Sequence, residues 1–343
     1  MTIEGTAATA TRFTVRVDGA ELAVYDHGQP DPTGPDAPTL VLVHGWPDTH
    51  RLWDSVVPLL TDRFRVVAYD TRGHGASTDQ GTVAEMRLEQ LADDFMAVAD
   101  AVAGPNPVHV LGHDWGSVQV WEAVCEPGAH ERIASFTSIS GPSLDHMGMW
   151  MRNAALTPKR LWPLATQLAS GAYTLFFMAG ILPRVFFRIF GRRWIWLLSL
   201  RIVERIPRSE AHLADTLRRD MTRGLRIYRA NVLQRVFRPA ERYTRVPIQL
   251  LVTTRDPAIR PASFADIDRW ASSVSRTDVR SGHWLADAKA CARRRCDHAV
   301  HRKDRPCTSM IPARFPCSPA TCASIGHRRR CTGCRANQSP RTP

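Results

Sequence analysis

An aspartate occupies a glycine-flanked turn in the stretch VHVLGHDWGS, residues 108–117. The stretch is typical of a short apolar strand, a tight turn with Gly112 and Gly116 on either side of Asp114, and the start of a helix. Enzymes that cleave esters commonly place a nucleophilic serine at the centre of such a turn. A carboxylate needs no deprotonation at neutral pH and can displace a leaving group from saturated carbon, which gives an alkyl ester of the aspartate. Two leaving groups suit this chemistry, a halide and the oxygen of a strained epoxide.

Two later residues could hydrolyse such an ester. Asp256 ends the apolar run QLLVTTRD, and His283 follows RTDVRSG. We predict that His283 activates the water that attacks the ester carbonyl, while Asp256 orients the imidazole and stabilises the imidazolium. The chain order of nucleophile, acid and histidine favours a shared site over separate roles as a helix cap, a turn residue and a surface histidine. Asp145 follows the preceding strand and is the alternative acid, although Asp256 is preferred.

Two backbone N–H groups are predicted to stabilise the oxyanion that water attack creates on the aspartyl carbon. One belongs to Trp46, in HGWP directly after an apolar strand, and the other to Trp115, directly after Asp114. Amide donors at these two places commonly form an oxyanion hole beside a strand-to-helix turn. We also expect the side chains of Trp46 and Trp115 to contact the substrate.

The elements that position these residues follow an alternating pattern of strands and helices. RFTVRVDG and ELAVYDHG predict a hairpin joined at Gly19, and helical stretches such as 87–103 and 118–124 separate the later apolar runs. The expected fold is α/β, a mostly parallel sheet with helices on both faces. Such sheets bind ligands at the carboxyl ends of their strands, which is where the candidate residues lie. The further predicted strands are 39–45, 64–70, 107–113, 134–140 and 246–256.

The strand pattern stops between Gly141 and about Val246, after the sixth strand of the sheet. Long helical stretches rich in Trp, Phe, Leu and Arg replace it, so we predict a helical cap inserted into the sheet fold. Residues 161–183 hold no charged side chain, and 184–205 alternates apolar clusters with arginines, as a basic amphipathic surface helix does. This pattern favours a cap packed over an apolar pocket. Contact with a membrane surface and a true membrane span are the alternatives.

Three motifs, HGWPD, YDTRGHGAS and GHDWGS, resemble the signature set of epoxide hydrolases within the α/β-hydrolase superfamily, and the resemblance covers 12–286. It implies that two cap tyrosines donate hydrogen bonds to the epoxide oxygen. Tyr173 in GAYTLFF and Tyr228 in GLRIYRANV are similar to that pattern, and a phenol can protonate the alkoxide that ring opening creates. The implied reaction converts an epoxide and water to a vicinal diol without a cofactor or a metal. Cap aromatics, Phe177 among them, predict a small apolar or lipid-like substrate.

Two other functions are compatible with these motifs. Haloalkane dehalogenases share the aspartate and the following Trp, but they commonly carry Asn in place of Trp46, and the paired tyrosines weigh against them. An inactive truncated relic or a lipid-binding protein is the second alternative, because the family continues past its histidine with a packed C-terminal helix that this sequence does not predict. The resemblance is closest to the hydrolase half of actinobacterial proteins in which a short-chain dehydrogenase follows, and no such second half is expected here.

The end of the chain differs in composition from the rest. Residues 288–343 carry 13 Lys and Arg against 2 acids, so most of the formal net charge of +12 lies there. Seven of the eight cysteines lie there too, and the body holds only Cys125, which fits a reducing cytoplasm. The N-terminus predicts no signal peptide, and we expect a cytoplasmic protein with membrane association through the cap as an option.

The domain plan follows from these composition changes. Residues 12–140 and 246–286 form the predicted hydrolase core, and 141–245 the cap. We interpret 287–343 as a tail outside the fold, disordered or translated in a shifted reading frame. The CxxC at 331–334 leaves zinc binding as an alternative, and the arginines would attract nucleic acid only without sequence specificity. The oligomeric state does not follow from the sequence.

Overall fold

A single eight-stranded sheet forms the core of the protein. The structure, a computed structural model, describes residues 10–31, 37–208 and 211–284. The strands are β1 Thr11–Val17, β2 Ala20–Asp26, β3 Thr39–Val43, β4 Arg65–Tyr69, β5 Val108–His113, β6 Ile133–Ile139, β7 Ile248–Thr253 and β8 Val274–Val279. Their order across the sheet is β1-β2-β4-β3-β5-β6-β7-β8.

The pairing of the strands confirms the predicted mostly parallel α/β sheet. β1 pairs with β2 and β2 with β4 in antiparallel fashion, and every later pair is parallel. All residues of β3 and β7 are buried, which is why these strands read as continuous apolar runs. β8 was not among the apolar runs because it lies at the sheet edge and none of its residues is fully buried.

Helices pack on this sheet and then form the cap. In the part of the chain that the structure describes they are α1 Leu88–Ala103, α2 Trp115–Val124, α3 Ala129–Arg132, α4 Leu144–Ala155, α5 Leu161–Gly171, α6 Tyr173–Met178, α7 Ile181–Phe190, α8 Arg193–Ser199, α9 Leu217–Gly224 and α10 Arg226–Phe237. α1 buries Leu88, Leu91, Phe95 and Val98 on one face, the spacing of an amphipathic helix, and ends at Gly104. α4 to α10 lie between β6 and β7, where the insertion was predicted.

The basic stretch 184–205 does not form the one surface helix that its composition predicted. α7 ends at Gly191, α8 follows, and the last turn, Leu200–Glu204, is a π-helix. A Cβ at Gly191 would overlap the carbonyl oxygen of Phe187 and lie 3.1 Å from Met221 Sδ. The chain therefore breaks where it passes closely over α9.

Two further predictions concern membranes and the chain end. Within the described ranges, no individual helix has both the length and the apolar character to traverse a bilayer, whereas the pair Pro158–Met178 and Ile181–Phe190, bent by 93°, has them when taken together. The predicted tail, 287–343, its zinc alternative and the expected absence of a C-terminal helix concern residues outside the described ranges.

Candidate active site

Asp114 lies at the turn between β5 and α2. Its φ of 52° and ψ of −127° are a conformation that residues other than glycine rarely adopt, so the surrounding structure must hold it in place. Its backbone N–H donates to the carbonyl oxygen of Ile139, at 3.0 Å, which ties the turn to the end of β6. A Cβ at Gly116 would overlap the carbonyl oxygens of Val43 and His44. Glycine at that position lets the turn pack directly on the end of β3.

Backbone amides face the carboxylate of Asp114. The N–H of Trp46 donates to Asp114 Oδ1 at 2.9 Å. A Cβ at Gly45 would overlap both Asp114 Oδ1 and the backbone nitrogen of Trp115, so the Trp115 amide lies against the same side of the carboxylate. These are the two amides predicted for an oxyanion hole. One carboxylate oxygen is held by an amide, and the other, Oδ2, faces the cavity and His283.

His283 lies between two carboxylates. Its Nδ1 is 2.8 Å from Asp256 Oδ2, and its Nε2 is 3.3 Å from Asp114 Oδ2. The other oxygen of Asp256 accepts hydrogen bonds from the backbone N–H groups of Ala258 and Ile259, at 2.8 and 3.0 Å. The structure therefore brings together the nucleophile, acid and histidine that the sequence predicted, each at the carboxyl end of its strand or on the loop that follows.

The pKa values in this group follow from burial and from the close charges. Burial acts against protonation of His283, but the carboxylates of Asp256 and Asp114 outweigh it and raise its pKa well above 6.5. Burial also disfavours ionised Asp256, yet His283 and the two amides hold the pKa of that carboxyl below its ordinary value of 3.8. The two carboxylates therefore favour the protonated form of His283. Loss of the Asp114 charge would lower the pKa of His283 and let it act as a base.

The backbone of His283 is anchored by two residues that the sequence analysis did not identify. Its carbonyl oxygen accepts hydrogen bonds from Ser140 Oγ and His113 Nε2, both at 2.9 Å. Burial, and then the charge of His283, lower the pKa of His113 to about 4, so this imidazole is a neutral donor. Both residues lie at the ends of strands beside the turn, which is the only signal that could have identified them.

Asp145, the alternative acid, lies in a different cluster. Its Oδ2 is 3.0 Å from Arg235 Nη1, and its Oδ1 accepts a hydrogen bond from the backbone N–H of Ala240 at 2.8 Å. Its hydrogen bonds thus join the first turn of α4 to α10 and to the segment that follows it. The structure brings Asp256, and not Asp145, to His283.

Two tyrosines lie on the cap side of the same site. Tyr173 begins α6, Tyr228 lies in α10, and their ring centroids are 6.4 Å apart. The Tyr228 ring packs edge-on against Trp115 at 4.9 Å. Burial, followed by neighbouring groups that include the Asp114 carboxylate, raises the pKa of both phenols above 10. Both hydroxyls therefore stay protonated at neutral pH and can donate.

An apolar cavity of about 370 Å³ connects the tyrosines with the carboxylate. Its wall includes Asp114, Trp115, Val118, Leu144, Met147, Met151, Tyr173, Met178, Tyr228, Val232, Val236 and Ile259. Trp46 and Phe177, predicted to contact the substrate, are not part of that wall. The Phe177 ring packs against Tyr228 and Tyr173, with centroids 5.0 and 5.1 Å away, and Trp46 Nε1 donates to the carbonyl oxygen of Met221 at 3.1 Å. Trp46 and Phe177 therefore support the tyrosines from outside the cavity wall.

Asp48 and Glu204 are acidic residues near the site that the sequence analysis did not select. Asp48 Oδ2 accepts a hydrogen bond from Trp284 Nε1 at 2.9 Å. Burial raises the pKa of Asp48 to about 7, the Trp284 hydrogen bond opposes the rise, and the Asp114 charge adds to it. Glu204, on the cap, accepts from the backbone N–H of Trp284 at 3.4 Å. The position of Asp48 at the end of HGWPD is a sequence signal that could have identified it.

Comparison with known proteins assigns these features to a family. A family profile described as alpha/beta hydrolase fold matches residues 38–290. The chain belongs to the alpha/beta hydrolase family. This alpha/beta hydrolase is 39% identical over 280 residues to the "Probable oxidoreductase EphD" of Mycobacterium tuberculosis, a match that covers 78% of this chain and 45% of EphD. The chain therefore spans about half the length of that relative. "Epoxide hydrolase A" of the same organism is 34% identical over 136 residues, 39% of each chain.

Solved structures share the fold of this alpha/beta hydrolase. One from a study of epoxide hydrolases in metagenomes from hot environments has a TM-score of 0.65 at 22% identity, covering 88% of this chain and 99% of its own. The epoxide hydrolase of Bacillus megaterium in complex with an inhibitor has a TM-score of 0.64 at 16% identity, covering 84% and 100%. Both solved structures therefore support the alpha/beta hydrolase fold of this chain.

Proposed function

We propose that this alpha/beta hydrolase converts apolar epoxides to vicinal diols through an ester of Asp114. The observation that carries the proposal is a single apolar cavity whose wall contains both the Asp114 carboxylate and the two protonated phenols, Tyr173 and Tyr228. A carboxylate can attack a saturated ring carbon, and a phenol can protonate the oxygen that leaves. The reaction needs both groups on opposite ends of one C–O bond.

The first half-reaction opens the ring. Asp114 Oδ1 is held by the Trp46 amide, so Oδ2 is the oxygen free to attack a ring carbon. The new C–O bond forms as the ring C–O bond breaks, and the departing oxygen takes a proton from Tyr173 or Tyr228. The product is a neutral hydroxyalkyl ester and a phenolate. The apolar wall excludes water, which would otherwise compete for the hydrogen bonds of the phenols.

The second half-reaction cleaves the ester. Esterification removes the negative charge beside His283 Nε2, so the pKa of the imidazolium falls and its proton passes to the phenolate, which restores the phenol. The neutral imidazole then takes a proton from water. The resulting hydroxide attacks Cγ of Asp114, and the oxyanion forms against the amides of Trp46 and Trp115. Collapse expels the diol oxygen, which is protonated by the His283 imidazolium. The proton of the new carboxylic acid passes to His283, and the site returns to its starting charge.

The hydrogen bond of the Trp46 indole bears on the dehalogenase alternative. A dehalogenase would need a free N–H donor to hold the departing halide, and Trp46 Nε1 is occupied by the Met221 carbonyl oxygen. That contact removes Trp46 as a halide donor, whereas Trp115 lies in the cavity wall, so a measurement of halide release must decide between the two reactions. We also infer that the chain corresponds to a hydrolase half of EphD-like proteins, because the match covers 45% of EphD and includes the motifs around Asp114. An inactive relic or a lipid-binding protein would have no turnover.

The test is product analysis with matched substrates. The purified chain is incubated with long-chain terminal epoxides and with 1-haloalkanes of the same chain length, and diol and halide are measured. We expect diol from the epoxides, no halide, and no diol with Asp114→Ala. Asp145→Asn is the matched control and should retain the activity if it folds. Halide release with no diol would establish the dehalogenase instead, and no turnover by well-folded protein would favour the binding protein.

A further inference from the structure

The exposed apolar surface of this protein is concentrated in the cap. Among the described residues, 21 large apolar side chains are exposed, and 17 of them lie between Leu156 and Val203. Single exposed apolar residues are normal on soluble proteins, but a concentration of this kind marks an interaction surface. The core, although larger, contributes almost none of it. The interaction surface that this concentration indicates therefore lies on the cap.

α7 gives this surface a regular face. Its exposed apolar side chains recur at the spacing i, i+1, i+4, i+5, i+8 and i+9, which is one side of a helix, while Pro183 and Phe187 are buried on the other side. The exposed set is Ile181, Leu182, Val185, Phe186, Ile189 and Phe190. We call these six residues the α7 face. An apolar side that faces outward indicates that the helix contacts a molecule other than the rest of this protein.

The α7 face continues to the mouth of the cavity that holds Asp114. Phe176 of α6 packs edge-on against Phe186, with ring centroids 5.6 Å apart. Its neighbour Leu175 is 65% exposed and also forms part of the cavity wall. Leu168 and Phe237, exposed at 52% and 68%, lie at the same wall. An apolar molecule leaving the α7 face would meet an apolar path into the cavity.

Arginines border the α7 face and identify the chemistry of its partner. Arg188 is exposed on α7 next to the apolar row, whereas Arg184, one turn earlier, is half-buried and lines a cavity with Asp79. From Leu156 to Arg208 the chain has nine Lys and Arg and a single acid, Glu204. Apolar side chains enter the acyl region of a bilayer, while adjacent arginines extend to phosphates at its surface. Such charges favour anionic lipids.

We propose that the α7 face docks on an anionic phospholipid bilayer and that the cavity takes its substrate from that bilayer. The delivery of an epoxide rests on the proposed function, whereas the docking does not. Docking requires no change in the core, because the face is already exposed. The substrate class that follows is a membrane-dissolved epoxide with a long apolar chain, presented from the lipid side.

The test is binding of the full chain to vesicles, measured by co-sedimentation without substrate. Vesicles of phosphatidylcholine alone are compared with vesicles that also contain phosphatidylglycerol. Ile181→Asp with Ile189→Asp should abolish binding, and Leu59→Asp, an exposed apolar residue of the core, is the matched control. Arg188→Gln should weaken binding to the anionic vesicles roughly fivefold, since each arginine near the surface contributes about that factor. Arg280→Gln, on the core, should leave binding unchanged.

The outcomes separate the docking from the chemistry. All variants keep residues 285–343, so a contribution of that basic segment is common to them. Equal binding by the α7-face variants and the native chain would overturn the proposal, as would binding that ignores phosphatidylglycerol. A dimer in light scattering that the α7-face variants dissociate, with no vesicle binding, would identify a second copy as the partner and would also overturn it. Vesicle binding by a chain that makes no diol would retain the docking and refute the proposed function alone.

Discussion

Replacement of Asp114 by Asn should lower the pKa of His283, because it removes one of the two charges that hold the imidazolium. Asp114 Oδ2 and His283 Nε2 are 3.3 Å apart. Opposite unit charges at this distance attract by about 5 kcal/mol at an effective dielectric constant near 20. That energy corresponds to about 3 to 4 pKa units. Side-chain motion and water weaken the pair, so we expect a fall of at least ~2 units.

The assay is an NMR titration of the His283 ring in the native chain and in Asp114→Asn. Asp256→Asn should also lower the pKa, because Asp256 is the nearer carboxylate at 2.8 Å. Asp145→Asn is the matched control, since that buried carboxylate pairs with Arg235 instead, and it should leave the His283 titration unchanged.

The pH dependence of the free energy of unfolding tests independently whether folding raises the pKa of His283. A histidine whose pKa is raised in the folded state stabilises the protein fully below its unfolded value, near 6.5, and this contribution is lost as the pH rises through the folded value. The loss should be smaller in Asp114→Asn. A His283 pKa that is the same in Asp114→Asn and in the native chain would refute the reasoning, because the release of the base on esterification depends on that difference.

Three further predictions concern other groups at the site. Tyr228→Phe and Tyr173→Phe should each slow ester formation about 10- to 100-fold, the value of a hydrogen bond to a charged oxygen, in single-turnover kinetics; unchanged rates would exclude the phenols from ring opening. Asp48→Asn should stabilise the protein increasingly from about pH 4 to pH 7, by about 2–4 kcal/mol at the upper end, in urea unfolding, because ionised Asp48 is disfavoured by burial; a pH-independent difference would contradict this. Gly45→Ala should abolish turnover, since its Cβ would overlap the Asp114 carboxylate; an active variant would show that the carboxylate is not fixed there.

The parallel sheet could be predicted from sequence because its central strands are buried on both faces. Runs such as TLVLV in β3 and IQLLVT in β7 are therefore mostly apolar and contain no charged residue. The same pattern predicted where Asp114 and Asp256 lie, since parallel strands bring their carboxyl ends to one edge, whereas His283 was assigned from the chain order of nucleophile, acid and histidine. β8 was not predicted, because the sequence of an edge strand with alternating polarity resembles that of a loop.

The residues that support the site could not be predicted, since they act through contacts distant in sequence. Ser140 anchors His283 across 143 residues, and its position at a strand end does not indicate which residue it contacts. Trp46 and Phe177 were expected to touch substrate because they are aromatic, yet their rings pack behind the tyrosines. The break at Gly191 depends on the closeness of α9, which composition does not record.

The proposed mechanism requires a covalent bond between Asp114 and a carbon of the substrate. His283→Gln should slow ester cleavage while leaving attack possible, so excess terminal epoxide can be mixed with this variant, quenched in acid, digested and analysed by mass spectrometry. We predict that the peptide containing Asp114 gains the full mass of the epoxide, and that the gain is absent when Asp114 is also replaced by Asn. Diol production by the native chain with no modified Asp114 peptide, or an adduct on Asp256 or Asp145, would contradict the claim.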